Sequence, residues 1–408
     1  MNQITNLSRI VRTLVAASGL VLAVASAAPT PNVTDAAPPL LVSSTVQPEP
    51  VDFRADARLL VHTIPSITGV ATRATTLLFV PRGRPPAGGW PIVAWAHGTT
   101  TPGQKTCAPS LTPNDLDGGL TRDGFKSDYA FQIGELVNAG YAVVAPDFEG
   151  LGAVASVPLP YYNAASLARS LIAGVRAARE AEPALSSRWA VFGHSDGGHA
   201  VLGVEAHLAE APELTLVGIV ASAPYASIQE HAARFKRIAD TASDAQAAQT
   251  ARVTEQFQVA LMAVGLTAES NDFDPSTVMG VDLKQILPAF KAVCSVPSIA
   301  IIDNAIKAKG RAFAGLKTGW AETPRMREFL GANDPAVTPN FTLRTPTLIV
   351  QGTADPLVLE PLTGAFVAKL QSAGAPVAYK RYEGADHFSV IRRASTDVLT
   401  FLRDRFSR

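Results

Sequence analysis

The sequence predicts an α/β fold, with a mostly parallel central sheet, helices on both faces and an inserted helical cap domain. The chain has 408 residues, and 47% of them are hydrophobic, which is enough apolar material for one large domain with insertions or for two smaller domains. Short, nearly continuous apolar runs alternate with longer stretches of helical periodicity. Such runs are typical of parallel strands that are covered on both sides.

Strand and helix patterns follow each other along much of the chain. The apolar runs bounded by Gly, Pro or Asp are predicted strands, at residues 74–81, 91–98, 141–148, 188–195, 216–223 and 346–353. A further strand is predicted near the C-terminus, at residues 377–384. The segments with helical periodicity between the early strands are residues 129–140, 164–182 and 197–211.

A long interruption of this pattern predicts the cap. Residues 228–341 contain helical patterns but no convincing series of strands. Helix-breaking residues predict ends of helices within this stretch, at Pro288, Pro297 and Gly310. The cap therefore divides the predicted sheet core into residues 51–227 and residues 342–408.

The N-terminus has the pattern of a secretory signal peptide. Arg9 and Arg12 precede an apolar stretch that ends in Ala25-Ser26-Ala27, so residues 1–27 are predicted to be cleaved off. An uncleaved membrane anchor is the alternative, but the stretch is shorter than the ~20 residues that span a bilayer, and serines interrupt it. We expect a secreted or periplasmic protein without a stable membrane anchor. Residues 28–50, rich in Pro, Ala, Thr and Val, are predicted to be a flexible leader.

Charge and cysteine content limit the partners and cofactors. The formal net charge is zero and no polybasic run is present, so nucleic acid is not an expected partner. No group of histidines and acids has metal-ligand spacing, and we expect neither a metal nor another cofactor. Two cysteines in an exported protein favour a disulfide between Cys107 and Cys294, but two separate buried thiols fit the sequence equally well.

One pentapeptide has the form of a nucleophile elbow. Gly193-His194-Ser195-Asp196-Gly197 follows a predicted strand and precedes a predicted helix, which is the context that a G-x-S-x-G elbow requires. The turn is so tight that side chains at the two glycines would collide with the neighbouring strand and helix. A serine in such a turn exposes its hydroxyl at the edge of the sheet. Ser195 is therefore the predicted nucleophile.

A serine hydroxyl becomes a good nucleophile only when a base takes its proton and an acid orients that base. In this architecture the order along the chain is Ser, acid, His. Asp355 and His387 each follow the carboxyl end of a predicted strand, where open parallel sheets build their sites. Ser195, Asp355 and His387 are therefore the predicted triad.

The other acids and histidines are weaker candidates. Asp386 adjoins His387 and would have to reach round to the ring, and Glu383 lies too close to the strand. His194 and His199 are held by the elbow and the helix after it, so we expect packing or hydrogen-bonding roles for them. The histidines without a partner signature are His62, His207 and His231.

Acyl transfer also needs hydrogen-bond donors for the oxyanion. One donor is the backbone N–H of the residue after the nucleophile, Asp196. His97-Gly98-Thr99 follows an apolar strand, which predicts the backbone of Gly98 or Thr99 as the other donor. A Gly-Thr turn without a role in catalysis is the alternative interpretation.

With these residues in place, the chain resembles the α/β-hydrolases and, more narrowly, the secretory lipase family of extracellular lipases and esterases. The resemblance covers roughly Val51 to the C-terminus and rests on the motifs AWAHGTT, CAPS, APDFEGLG, GHSDGG, GTADPLV and GADHFS. It implies an α/β-hydrolase fold with a helical cap, the same triad, and a disulfide from Cys107 to Cys294 in the cap. Thr101 departs from the family, in which glycine tends to follow the two threonines.

The predicted function is a secreted serine hydrolase that cleaves carboxylic esters of small molecules or lipids through an acyl-enzyme. A long helical cap suits an acyl chain or a bulky alcohol, and equally a small ester, a polyester or an aryl ester. A serine peptidase or amidase of the same fold is the alternative, although no propeller-like series of strands precedes the core. A non-catalytic binding protein is disfavoured because all three triad residues are present in order.

Overall fold

One nine-stranded sheet forms the centre of the part of the chain that is described. The computed structural model describes residues 40–48, 53–111, 128–270 and 272–407, and the predicted signal peptide, residues 1–27, lies outside these ranges. The strands are β1 (Leu41–Val46), β2 (Ala55–Pro65), β3 (Ala71–Pro81), β4 (Trp90–Ala96), β5 (Ala142–Pro146), β6 (Leu185–His194), β7 (Thr215–Ser222), β8 (Thr347–Gly352) and β9 (Val377–Tyr382). Their order across the sheet is β1-β2-β3-β5-β4-β6-β7-β8-β9.

Most of this sheet is parallel, which confirms the predicted fold class. Strands β5, β4, β6, β7, β8 and β9 pair in parallel, and β1, β2 and β3 extend the β5 edge in antiparallel pairing. Ala96 of β4 is opposite Gly193 of β6, and Ser222 of β7 is opposite His194. The carboxyl ends of these three strands are therefore level, and the loops that follow them meet at one edge of the sheet.

The antiparallel edge contains the main departure from the sequence prediction. Residues 28–50 were expected to be a flexible leader, but Leu41–Val46 forms β1 and pairs with β2. Strand β2 was also not expected. Most side chains of β1 are exposed, because an edge strand is held by backbone hydrogen bonds to its neighbour and needs no apolar face. Its valines and threonine favour the extended backbone even so.

Helices cover both faces of the sheet. The helices in the described residues are α1 (Tyr129–Asn138), α2 (Ala164–Ala181), α3 (Asp196–Gly203), α4 (Ile228–Thr241), α5 (Ala245–Glu269), α6 (Val281–Lys291), α7 (Ser295–Lys309), α8 (Pro324–Asn333), α9 (Glu360–Ser372), α10 (Ser389–Arg393) and α11 (Ser395–Phe406). Helices α2 and α3 contact each other and the central strands, and α1, α10 and α11 contact one another and strands β3, β5, β7 and β8. Across the described ranges, no helix combines the length and apolar character needed to cross a membrane.

Five of these helices, α4 to α8, lie between β7 and β8, where the cap was expected. In the described part of this insertion the only extended pairing is an isolated bridge between Met279 and Leu316. Gly310 follows the end of α7 with a φ of 56°, as a glycine stop signal should. Pro297 lies in the first turn of α7, where its missing N–H costs no helical hydrogen bond.

The break expected at Pro288 is wrong, because α6 continues through it. A proline inside a helix removes the hydrogen bond to the carbonyl four residues earlier. Here that carbonyl belongs to Lys284, and both residues lie on the exposed side of the helix. Water can therefore solvate the carbonyl, while Leu283, Leu287 and Phe290 hold the other side in the core.

Candidate active site

The turn between β6 and α3 has the geometry of a nucleophile elbow. Ser195 adopts φ 59° and ψ −117°, in the positive-φ region that non-glycine residues rarely occupy. A Cβ atom at Gly193 would overlap the backbone of Gly197, and a Cβ at Gly197 would overlap the carbonyl of Ala96. Only glycine fits at either position, so the spacing of the motif follows directly from steric exclusion.

Backbone hydrogen bonds hold Ser195 in this strained conformation. Its N–H donates to the carbonyl of Ser222 in β7 (2.9 Å). Its carbonyl accepts from the amides of His199 (3.0 Å) and Tyr225 (3.3 Å). The strain is therefore offset by bonds from β7, α3 and the segment after β7. The residues flanking Ser195 are buried, whereas Ser195 itself is half-buried and presents its hydroxyl to the site.

The two other predicted triad residues lie next to this hydroxyl. His387 Nε2 is 2.9 Å from Ser195 Oγ, and His387 Nδ1 is 2.8 Å from Asp355 Oδ2. A carboxylate can only accept, so Nδ1–H donates to Asp355 and leaves Nε2 unprotonated, ready to accept the serine proton. Asp355 follows β8 and His387 follows β9, as their positions in the sequence predicted.

Asp355 is kept ionised by its surroundings. Its Oδ1 accepts from the backbone amides of Leu357 (2.9 Å) and Val358 (2.8 Å), and its Oδ2 accepts from Gln351 Nε2 (3.0 Å). Burial alone would raise the pKa of Asp355, but the neighbouring charge of His387 and the hydrogen bonds from His387 and from the amides of Val358 and Leu357 hold the pKa below its usual value. The carboxylate is therefore charged whenever the imidazole beside it must become an imidazolium.

The weaker candidates have other partners. Asp386 bonds within its own loop, where its Oδ1 accepts from the amides of Phe388 (3.1 Å) and Ser389 (2.8 Å). Glu383 is exposed. Neither Asp386 nor Glu383 forms a hydrogen bond with the His387 ring, whereas Asp355 does.

Two other histidines, His194 and His231, form hydrogen bonds with the loops that carry His387 and Asp355. Nε2 of His194 donates to the backbone carbonyl of His387 (2.7 Å). His231 Nδ1 donates to the carbonyl of Ser227 (2.7 Å), and its Nε2 accepts from the amide of Leu359 in the loop after Asp355 (3.0 Å). Burial lowers the pKa of both imidazoles, to about 3 for His194 and about 4 for His231, so both are neutral.

His62, His199 and His207 are packing or surface groups. His62 hydrogen-bonds to the hydroxyl of Thr76 (2.8 Å) inside the sheet. His199 Nε2 lies 3.2 Å from the carbonyl of Tyr162. His207 pairs with Glu210 at the surface (3.0 Å).

The loop after β4, residues 97–104 and hereafter the oxyanion loop, passes close to Ser195. A Cβ atom at Gly98 would be 3.2 Å from the Ser195 Cβ and would overlap the hydroxyl of Tyr129. The amide of Gly98 donates to that hydroxyl (3.0 Å). In the described part of the chain, the amides of Thr99 and Asp196 have no hydrogen-bond acceptor. Of the two alternatives expected in this loop, Gly98 is therefore already engaged, and the amide of Thr99 remains.

The side chain of Asp196 is an unusual feature of the site. It is 4% exposed, and its Oδ1 has no hydrogen-bond partner among the described residues. Burial raises the pKa of Asp196 to about 7. Its neighbours include the hydroxyls of Tyr161 and Tyr162, whose pKa values burial and the charge of Asp196 raise well above 10. The sequence predicts a role for the backbone amide of this residue only.

The oxyanion loop is tied to the insertion between β7 and β8. A disulfide joins Cys107, just after the loop, to Cys294 at the start of α7. The amide of Ser295 donates to the carbonyl of Thr100 (2.9 Å). Thr101 Oγ1 donates to the carbonyl of Val293 (2.9 Å), a bond that a glycine at this position could not make.

Comparisons with known proteins show the family and the fold of the chain. The sequence model of the family described as secretory lipase matches residues 126–408. No curated protein sequence matches the chain. Candida antarctica lipase A in its closed state superposes with a TM-score of 0.70 at 18% identity, covering 90% of this chain and 82% of that one. The rice cell wall degrading esterase LipA from Xanthomonas oryzae gives a TM-score of 0.66 at 18% identity, covering 90% and 98%.

The sheet, the inserted helices and the two structural neighbours define an α/β-hydrolase fold. The chain belongs to the secretory lipase family, because the family model spans more than half of it. It is thus a carboxylic ester hydrolase by class.

Proposed function

We propose that this protein is a secreted serine esterase that hydrolyses carboxylic esters through an acyl-enzyme on Ser195. The observation that carries the proposal is the continuous chain of two hydrogen bonds from Ser195 Oγ through His387 to Asp355, with distances of 2.9 Å and 2.8 Å. Carboxylate, imidazole and hydroxyl in this order are the groups that nucleophilic acyl transfer requires.

In the acylation step, Ser195 Oγ attacks the ester carbonyl carbon while its proton moves to His387 Nε2. The imidazolium that forms is stabilised by the Asp355 carboxylate, which accepts from Nδ1 throughout. The tetrahedral intermediate then collapses, the bond to the alcohol oxygen breaks, and His387 gives its proton to the leaving alkoxide. The acyl group stays on Ser195.

The oxyanion of the intermediate is stabilised by backbone amides. We assign the amide of Asp196, at the N-terminus of α3, and the amide of Thr99 in the oxyanion loop. Neither amide has an acceptor within the described residues, and the helix N-terminus adds a favourable dipole. Removal of one such donor typically costs a factor of about 10²–10³ in kcat.

Deacylation repeats the same chemistry with water. His387 Nε2 takes a proton from a water molecule, the hydroxide attacks the acyl carbonyl, and the second tetrahedral intermediate expels Ser195 Oγ, which recovers its proton from His387. The products are a carboxylic acid, an alcohol and the original enzyme.

Secretion is part of the proposal. It is supported by the signal-peptide pattern in residues 1–27 and by the Cys107–Cys294 disulfide, because disulfides persist mainly in oxidising compartments. We assign the choice of acyl chain and alcohol to the helical insertion, since the amide of Ser295 in α7 donates directly to Thr100 in the oxyanion loop. A series of p-nitrophenyl esters of increasing chain length, with an emulsified triglyceride in parallel, measures that choice.

The test of the proposal is the substitution Ser195→Ala. Hydrolysis of p-nitrophenyl butyrate should fall by a factor of at least about 10³, because the residual activity of such variants comes only from the oxyanion donors and binding. Ser372→Ala changes an exposed serine at the end of α9 and serves as the matched control. Wild-type turnover by Ser195→Ala would overturn the proposal. Assays on aminoacyl anilides with the wild-type protein measure any peptidase activity.

A further inference from the structure

A buried chain of hydrogen bonds connects the two loops that carry the base and an oxyanion donor next to Ser195. The first loop, residues 383–388 and hereafter the base loop, carries His387, and the second is the oxyanion loop. His194 Nε2 lies 2.7 Å from the backbone carbonyl of His387, and His194 Nδ1 lies 2.9 Å from the hydroxyl of Tyr129. The same hydroxyl accepts from the amide of Gly98 (3.0 Å). Three bonds thus link one loop to the other.

The direction of every bond in this chain is fixed by its end groups. A carbonyl oxygen can only accept, so His194 carries its proton on Nε2 and its Nδ1 is an acceptor. An amide can only donate, so the Tyr129 oxygen accepts from Gly98 and its O–H donates to His194 Nδ1. The chain therefore works only with a neutral His194. Burial and the nearby charge of His387 lower the pKa of His194 to about 3, which keeps it neutral while His387 cycles between base and acid.

Packing leaves this chain little freedom. Tyr129, His194 and Gly98 are all buried. The Tyr129 ring packs edge-on against Trp95 with centroids 4.8 Å apart, and the His194 ring lies 4.5 Å from that of His387. The space beside Gly98 is filled by the Tyr129 hydroxyl, so a side chain there would break the chain at its last bond.

We infer that Tyr129 and His194 are positioning residues, which hold the oxyanion loop at a fixed distance from the base loop. The role rests on the proposed function, because it concerns the base and the Thr99 amide assigned there. Both residues are buried, and the acyl-transfer steps proposed above use neither of them. The amide of Thr99 adjoins Gly98, so a displacement of Gly98 moves the oxyanion donor relative to the serine, and hydrogen-bond donation at such a site depends strongly on distance. The three hydrogen bonds therefore set the geometry that stabilises the transition state, and other surfaces of the protein bind the substrate.

The first test is Tyr129→Phe, which removes the hydroxyl and keeps the ring. With active sites counted by titration, kcat for p-nitrophenyl butyrate should fall about 10- to 100-fold, while KM changes less than about twofold. The inhibition constant of a trifluoromethyl ketone, which forms a tetrahedral adduct with an oxyanion, should rise in parallel. The matched control is Tyr379→Phe, which removes a half-buried hydroxyl that donates to Glu360 (3.1 Å) in α9.

The second test uses His194. His194→Gln keeps a donor and an acceptor at a similar separation, and it should retain several times more activity than His194→Leu. The double variant Tyr129→Phe with His194→Leu should be no slower than the slower of the two single variants, since both break one chain. If His194→Leu does not fold, Tyr129→Phe and His194→Gln still test the positioning role.

Two results would overturn the inference. One is a wild-type kcat and ketone affinity in Tyr129→Phe, which would give the hydroxyl a packing role only. The other is multiplicative losses in the double variant, which would mean that the two residues act separately. These failures are distinct from a failure of the proposed function, because that would appear as activity in Ser195→Ala.

Discussion

His387 Nε2 lies 2.9 Å from Ser195 Oγ, although 192 positions of sequence separate the two residues. The contact is possible because β6 and β9 end at the same edge of the parallel sheet, with β7 and β8 between them. The serine comes from a strained turn and the histidine from a loop held by His194.

Asp355→Asn should lower kcat by about 10³- to 10⁴-fold, because the amide favours the wrong tautomer of His387 and no longer stabilises the imidazolium. KM should change little. The matched control is Asp386→Asn, which alters the acid adjacent to His387 whose carboxylate accepts from the amides of Phe388 and Ser389. The measurement is kcat on p-nitrophenyl butyrate for both variants. An equal loss in both would contradict the assignment of Asp355.

Gly197→Ala should destabilise the protein by about 3 kcal/mol and abolish most activity, because an added methyl in a tightly packed site forces the backbone apart. The new Cβ would overlap the carbonyl of Ala96 and lie 2.6 Å from that of His97. Gly331→Ala in α8 is the control, since a Cβ there meets nothing within 4 Å and alanine favours a helix by about 1 kcal/mol. Urea denaturation measures the stability of both variants. Unchanged stability in Gly197→Ala would refute the steric account of the elbow.

Much of the site could be predicted from the sequence because local patterns mark it. The elbow needs glycines at fixed spacing, and the loops with Asp355 and His387 each follow an apolar strand. Tyr129 and His231 carry no such signal. Their roles depend on contacts with residues far along the chain, which a single sequence does not encode locally.

The errors in the fold have a similar cause. Strand β1 lies in a segment rich in Pro and Ala, a composition that does not predict a strand. Pairing with β2 stabilises the extended backbone there. Helix α6 passes through Pro288 because the affected carbonyl faces water. In both cases the tertiary surroundings outweigh the local preference.

Asp196 makes the stability of the protein depend on pH. Burial raises its pKa to about 7 from a usual value of 3.8, so the folded protein binds a proton that the unfolded chain releases between these pH values. The stability that this proton contributes is present below about pH 4 and is lost as the pH rises to about 7. Asp196→Asn does not titrate there. Its stability relative to wild type should therefore increase across this range, by on the order of 4 kcal/mol, and level off above it.

The measurement is urea denaturation of both proteins at about pH 4, 6 and 8. Other buried acids with raised pKa values, among them Asp147, Asp334 and Glu255, titrate in both proteins and cancel in the difference. A difference that does not vary with pH would show that Asp196 has no raised pKa in the folded state.

The disulfide should contribute several kcal/mol. It closes a loop of 187 positions. A cross-link of that length lowers the entropy of the unfolded chain by an amount equivalent to about 5 kcal/mol, and loss of a native disulfide usually costs about 2–5 kcal/mol of stability. The double variant Cys107→Ser with Cys294→Ser should have a lower Tm. Reductant should lower the Tm of the wild type to the same value and leave the double variant unchanged. Equal Tm values for the oxidised wild type and the double variant would contradict this.

The central claim is that Ser195 forms the acyl-enzyme, and active-site labelling tests it most directly. A fluorophosphonate should modify the wild-type protein in a one-to-one ratio, and peptide mass spectrometry should locate the adduct on Ser195. Labelling should be absent in Ser195→Ala and greatly slowed in His387→Ala, while Ser372→Ala labels as wild type. An adduct on another residue, or stoichiometric labelling of Ser195→Ala, would contradict the mechanism.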